Sequence, residues 1–305
     1  MRVSKVSRET KTDWAIRIIV DILVTIVFIL MLFPLIYIVS CSISNPALVN
    51  TGKVWLFPRK ITFDGYRQIF HYSKVLIGYR NTIFFTVFGT AINLLVTLPA
   101  AYALSKRSLK GRRLIMLIFE FTMYFSGGLI PTYLLVKNLG LLNTWAVMLI
   151  LGAVNVYNLI IARTFFETGV PKEIEESAMI DGCSWTRTFL LVVLPISKAI
   201  VIVMILYYGV SHWNGYFNAM IYLTDRNKVT LQLVLREILL TESSNAELLS
   251  SGCGMMSDWD SGAKAQMVTL VRFGLVVVSS VPVMIIYPFF QKYFYKGVMI
   301  GSLKG

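Results

Sequence analysis

Between Tyr207 and Asn218 the chain concentrates Tyr207, Tyr208, His212, Trp213, Asn214, Tyr216 and Asn218. Asn93, Asn155 and Asn158 add further amides inside apolar runs, and Glu120 and Tyr124 add an acid and a phenol to another. Rings that stack and amides that hydrogen-bond suit a polyhydroxylated ligand such as a sugar. The same residue types also serve as hydrogen-bonding glue between membrane helices and as an aromatic belt at a membrane interface. Glu120 fits a functional intramembrane acid or an inter-helix hydrogen bond equally well, because charges inside spans face a bundle interior or a cavity.

Other chemistries lack their parts. His212 is the one histidine inside an apolar run, and helical spacing gives it no Ser or Cys partner, so no nucleophile–base pair forms. Gly127-Gly128 and Gly252 to Gly254 are not followed by Lys-Ser/Thr, so neither is a phosphate loop. Cys41, Cys183 and Cys253 have no zinc-like spacing and make no disulfide framework. A Cys41–Cys253 bridge is conceivable if both face the outer side, although a free thiol at each fits better.

The elements that position these residues are membrane spans. The 305 residues are 56% hydrophobic, with a mean hydropathy of +0.68. Apolar runs of about 20 residues cross a hydrocarbon core about 30 Å thick. Six such runs extend roughly from Ile16 to Cys41, Asn81 to Leu104, Leu114 to Val136, Thr144 to Phe166, Leu194 to Leu223 and Gln266 to Phe290. The first is too long for a signal peptide and lacks a small-residue cleavage site, so it reads as an anchor. Pro34 predicts a kink in it, and Asn93 and Pro99 predict interruptions in the second. Asp64 to Ile69 reads as a short surface helix.

Ser105 to Arg113 holds five cations in nine residues and no acid, which places that loop in the cytoplasm. With both termini inside, inner segments carry 17 of the 29 Lys and Arg residues and outer segments 11. The net charge of +13 is spread between spans, so it speaks for membrane orientation and against nucleic acid. The expected organisation is a cytoplasmic segment 1–15, a transmembrane domain 16–290 and a cytoplasmic tail 291–305. A polar segment at 224–264 forms a long outer loop.

Between the fourth and fifth runs lies a charged passage, 167–193. Pro171 suits the first position of a helix, and Glu173, Glu175 and Glu176 suit its first turns, where the dipole favours acids. Gly182 is the natural left-handed residue to end it, and Ser184 can cap the next helix. A pair of short surface helices tied to a membrane span is a shape that passes motion.

Here Glu176, Ser177, Ala178, Gly182, Val192, Leu194 and Pro195 carry a pattern, Glu-small-Ala, three residues, Gly, nine residues, aliphatic-x-Leu-Pro. It resembles the coupling loop of permease subunits of binding-protein-dependent ABC importers, with Ser177 for the usual Ala and Val192 for the usual Ile. His212-Trp213-Asn214-Gly215-Tyr216-Phe217-Asn218, the stretch Thr230 to Glu237 and the tail Gln291 to Gly305 look like the maltose-type and complex-oligosaccharide branch. Gly127 to Pro131 look closest to members that take larger or modified oligosaccharides.

The resemblance implies an all-α integral membrane protein with six transmembrane helices and cytoplasmic coupling helices, in a bacterial plasma membrane. It implies that Glu173, Glu176, Ser177, Ala178, Met179, Asp181, Gly182, Trp185, Leu194 and Pro195 couple the chain to an ATPase. Ala178 is expected in close contact with that partner. The substrate pathway would use Glu120, Tyr124, Asn155, Asn158, Tyr208, His212, Trp213, Asn214 and Asn218. Implied partners are a second permease chain, two ATP-binding subunits that hold the ATP and Mg, an outer sugar-binding protein and an oligosaccharide. The chain itself would hold no cofactor and no metal. An ion-coupled secondary transporter is the main alternative, with Glu120 and Asp21 as proton carriers. It lacks the repeated broken helices that such folds show and leaves the coupling passage unexplained.

Overall fold

The computed structural model describes residues 11–240 and 261–302, with side chains over 12–240 and 266–290. Every element among the described residues is helical. Two compact units divide them.

The first unit contains α1 (Lys11–Ser42), α2 (Pro46–Asn50), α3 (Asp64–His71) and the first part of α15 (Ser261–Ser302), as far as Val278. Helix α1 is one continuous helix through Pro34 and is exposed along most of its apolar length, as a lipid-facing anchor is. Surface helix α3 forms where Asp64 to Ile69 predict it. Its Gly65 comes so close to Leu270 that an added Cβ would lie 3.1 Å from the leucine Cβ. The Ser42 and Tyr66 hydroxyls are 2.8 Å apart, and the Tyr37 ring meets Phe273 edge-on at 6.1 Å.

The second unit contains α4 (Ser73–Ser105), α5 (Arg112–Tyr124), α6 (Leu129–Asn138), α7 (Trp145–Ile150), α8 (Val156–Gly169), α9 (Lys172–Ile180), α10 (Trp185–Arg187), a π-helical segment (Thr188–Val193), α11 (Leu194–Ile196), α12 (Lys198–Trp213), α13 (Phe217–Tyr222), α14 (Leu231–Leu240) and the remainder of α15. Helix α4 is its axis, packed chiefly on α12, α8 and α14. The expected interruptions do not occur: α4 runs unbroken through Asn93 and Pro99. Asn93 spends its side chain on a neighbouring element instead, donating to the Gly152 and Ala153 carbonyls at 3.1 and 2.7 Å.

Three described helices are long and apolar enough to cross a membrane, and up to five if two bent pairs each count as one. The third and fifth runs are bent. Helices α5 and α6 meet at 112°, where Gly128 adopts φ 82°. The stretch α10–α11 meets α12 at 85° about Ser197. The fourth run is also broken, into α7 and α8, with Gly152 at φ 82° between them. Irregular backbone at membrane depth persists where protein buries it or where it lines a cavity; the Gly152–Asn93 bonds supply one such partner.

The segment after the fifth run is not simply a free loop. Asn81 donates to the Asn227 and Val229 carbonyls at 2.8 and 2.9 Å, and the Thr82 hydroxyl accepts from the Leu231 amide at 2.8 Å. These bonds tie the start of α14 to α4. Residues 241–260, with Cys253 and the glycines near it, lie outside the described residues, so only buried Cys41 and half-buried Cys183 are placed.

Candidate substrate cavity and coupling helix

The break in the fourth run opens a cavity of about 870 Å³. The Asn155 side chain caps α8, accepting from the Asn158 amide at 3.1 Å. Its own amide donates to the Tyr208 hydroxyl at 3.3 Å, and that hydroxyl lies 2.8 Å from Thr97 Oγ1. On the other wall His212 Nε2 is 2.7 Å from Asn93 Oδ1. Because the Asn93 amide group donates to two carbonyls, its oxygen must accept here. His212 Nε2 is therefore the donor of this bond. Gly89 makes room for the ring: an added Cβ would lie 2.5 Å from His212 Cε1.

Asn155, Asn158, Tyr208, His212, Asn214 and Asn218 all line this cavity, joined by Asn93, Tyr157, Tyr207, Tyr216, Phe217 and Tyr287. A wall of amides, phenols and one imidazole can stack on sugar rings and exchange hydrogen bonds with their hydroxyls. Tyr157 and Tyr287 are aromatic members that sequence reasoning missed: Tyr157 sits between the two singled-out amides Asn155 and Asn158, and Tyr287 comes from a distant helix.

Three expected pathway residues lie elsewhere. Trp213 is buried, donates its indole N–H to the Ser279 carbonyl at 2.9 Å, and lines a separate apolar cavity of about 360 Å³. Glu120 lines another cavity, with Arg163 and Glu167. Tyr124 is 78% exposed and lines neither. The cause is geometric: α8 is about 21 Å long at 1.5 Å per residue, and α5 accompanies its Arg163–Glu167 end rather than its Asn155 end.

The charged passage folds as two short helices. Pro171 precedes α9 instead of opening it, Gly182 adopts φ 80°, and Ser184 accepts from the Arg187 amide at 3.4 Å. Glu175 and Ala178, three apart and so on one face, are the buried residues of α9. Glu175 pairs with Lys106, whose ammonium lies 4.2 Å over the Tyr102 ring. The small size of Ala178 serves packing within this chain, where it is 8% exposed. Glu173, Glu176, Ser177 and Asp181 are exposed, Met179 is half-buried, and Ile180 and Trp185 expose 86% and 50% of their surface. Beyond α10 the helix widens to a π turn, with the Leu194 amide bonded to the Phe189 carbonyl. Pro195 follows, exposed beside half-buried Leu194, and cannot donate to the carbonyl four residues back.

Nearby, Glu167 accepts from Arg112 through Oε1 and from Arg163 through Oε2, both at 3.0 Å. Burial pushes its carboxyl up, but the Arg112 hydrogen bond and the charges of Arg112, Arg163 and Arg107 outweigh it and hold the group below its ordinary value. No group of His, Cys, Asp or Glu among the described residues could hold a metal.

No family model matches the chain. Protein LplC of Bacillus subtilis is 38% identical over 274 residues, which are 90% of this chain and 90% of that protein. The polygalacturonan/rhamnogalacturonan transport system permease protein YtcP of the same organism is 38% identical over 89% of this chain and 92% of its own. A bacterial ABC transporter involved in the import of the acidic polysaccharide alginate has a solved chain that superposes with a TM-score of 0.83. It is 35% identical and covers 93% of this chain and 98% of its own. The chain belongs to the permease subunits of ABC importers. The permease is a transport subunit and not an enzyme.

Proposed function

We propose that this permease forms half of a pathway for an oligosaccharide or complex glycan. Its transmembrane domain, 16–290, crosses a bacterial plasma membrane six times, the fourth crossing being the broken α7–α8 pair. Segments 1–15 and 291–305 lie in the cytoplasm, and 224–264 lies outside, where a sugar-binding protein delivers the substrate. A second permease chain completes the pathway. Two ATP-binding subunits supply the driving energy from ATP and Mg, and one of them docks on the passage 167–193.

The observation that carries this reading is the cavity of about 870 Å³ where amides from four helical segments and several aromatic rings converge. The polygalacturonan/rhamnogalacturonan and alginate names of the relatives favour a large, polar substrate. On the α9 side, the exposed Ile180 and Trp185 suit burial in a partner's cleft, with Glu173, Glu176 and Ser177 as its polar rim.

Uptake of a labelled oligosaccharide into vesicles holding the full transporter tests the proposal. Transport should require internal ATP and the binding protein, and Tyr207→Ala should depress it while leaving assembly intact. Uptake driven by a proton gradient without ATP would overturn it.

A further inference from the structure

At the far end of α8 lies a second cavity, of about 770 Å³, that nothing in the sugar pathway or in the α9 dock uses. Arg107, Arg112, Arg113 and Arg163 line it, against only two acids, Glu120 and Glu167. Glu167 is already committed to Arg112 and Arg163, one oxygen to each. Arg107 and Arg113 are exposed and have no ion-pair partner among the described residues. Glu120 forms no ion pair with either of them among the described residues. Four guanidinium groups against two carboxylates leave the cavity with excess positive charge.

Its other lining is mostly apolar, with Met116 and Leu117 among it, and alongside it α5 leaves Leu114, Leu117 and Ile118 exposed. Guanidinium groups hold phosphate oxygens in bidentate pairs. Basic pockets between membrane helices on the cytoplasmic side hold anionic lipid headgroups. We propose that this cavity binds the phosphodiester headgroup of an anionic phospholipid, held by Arg107 and Arg113, with the acyl chains along the exposed face of α5. A soluble anion would use the charge but not the adjoining apolar strip, and that strip favours the lipid. The proposal rests on the cytoplasmic placement of the 105–113 loop given under the function above.

The test uses the complete transporter, washed stepwise with detergent after reconstitution in equal phosphatidylglycerol and phosphatidylcholine, with retained lipid counted by mass spectrometry. The transporter should retain phosphatidylglycerol preferentially. Arg107→Gln with Arg113→Gln should cut that retention roughly tenfold or more, while Lys110→Gln, in the same loop but outside the cavity, should not. Equal retention by the double variant and the parent would overturn the site. Release of the lipid by millimolar inorganic phosphate, or by an acidic disaccharide, would show a soluble-anion site and overturn the lipid assignment. Labelling of Ser108→Cys from each face of sealed vesicles checks the topology separately, so a failed lipid site and a failed orientation give different results.

Discussion

Lys106, the first residue after α4, forms an ion pair with Glu175 of α9, 69 positions later, while lying over Tyr102 of α4. Both side chains are largely buried, at 17% and 10% exposure. The pair joins the cation-rich loop to the helix proposed to meet the ATPase, so a push on α9 reaches α4 through a bonded contact. Lys106→Gln and Glu175→Gln should each destabilise the permease by about 1–3 kcal/mol, between the exposed and fully buried cases. The double variant should cost less than the sum, with a coupling of about 0.5–3 kcal/mol. Thermal unfolding of the four proteins measures it, and strict additivity would mean that the pair carries no energy.

Glu167 gives a pH dependence whose sign follows from its depressed carboxyl. A depressed folded value stabilises the fold above the ordinary carboxylate range and is lost as pH falls through the folded value. Acid unfolding of the parent should therefore be steeper below about pH 4.5 than that of Glu167→Gln. The variant should be less stable at pH 7 by about 1–2 kcal/mol. Identical pH profiles would remove Glu167 from the stabilising set.

Local signals were readable and distant pairings were not. The end of α9 was legible because its left-handed Gly182 and the Ser184 cap act within a few residues. Apolar runs located the long helices α1, α4 and α15, but not the breaks at Gly128, Gly152 and Ser197. A broken helix survives only when its freed backbone groups find partners, and those partners lie far away in sequence: Asn93 serves the break at Gly152 across 59 residues. The amide and aromatic composition pointed to the cavity wall, yet composition does not say which way a ring faces. Trp213 and Glu120 were therefore grouped with residues they do not join. Lys106 and Arg112 were legible only as topology charges, because an ion partner on another helix leaves no periodic trace.

The His212 ring sits where Gly89 leaves no room for a methyl group. Gly89→Ala should push the imidazole towards the cavity and cost about 1–3 kcal/mol from overpacking. Uptake should show a raised KM before a lowered maximal rate, since the ring lines the cavity. Adding His212→Ala should restore much of the stability but not the sugar affinity. If Gly89→Ala alone is as stable as the parent, the close approach is not a packing constraint.

The prediction that separates docking from folding concerns α9. Ala178 is 8% exposed within this chain, whereas Ile180, two residues on, is 86% exposed. A large side chain at Ala178 must overpack the permease itself, so Ala178→Trp should lower thermal stability by about 1–3 kcal/mol even in the isolated subunit. Ile180→Asp touches nothing inside the chain and should leave that stability unchanged. In the assembled transporter, burying an isoleucine in a partner's cleft is worth about 1.5–3 kcal/mol. Its loss should therefore weaken ATPase docking roughly ten- to a hundredfold. Gly182→Val forms a third class: its left-handed backbone, not its space, is the constraint, and an L side chain there costs about 1–2 kcal/mol. That variant should fold but mis-aim α10. The measurements are unfolding of the isolated permease, ATPase retention on copurification, and sugar uptake with ATP turnover in reconstituted vesicles. Full copurification and coupled uptake by Ile180→Asp would mean that the exposed face of α9 is not where the ATPase binds.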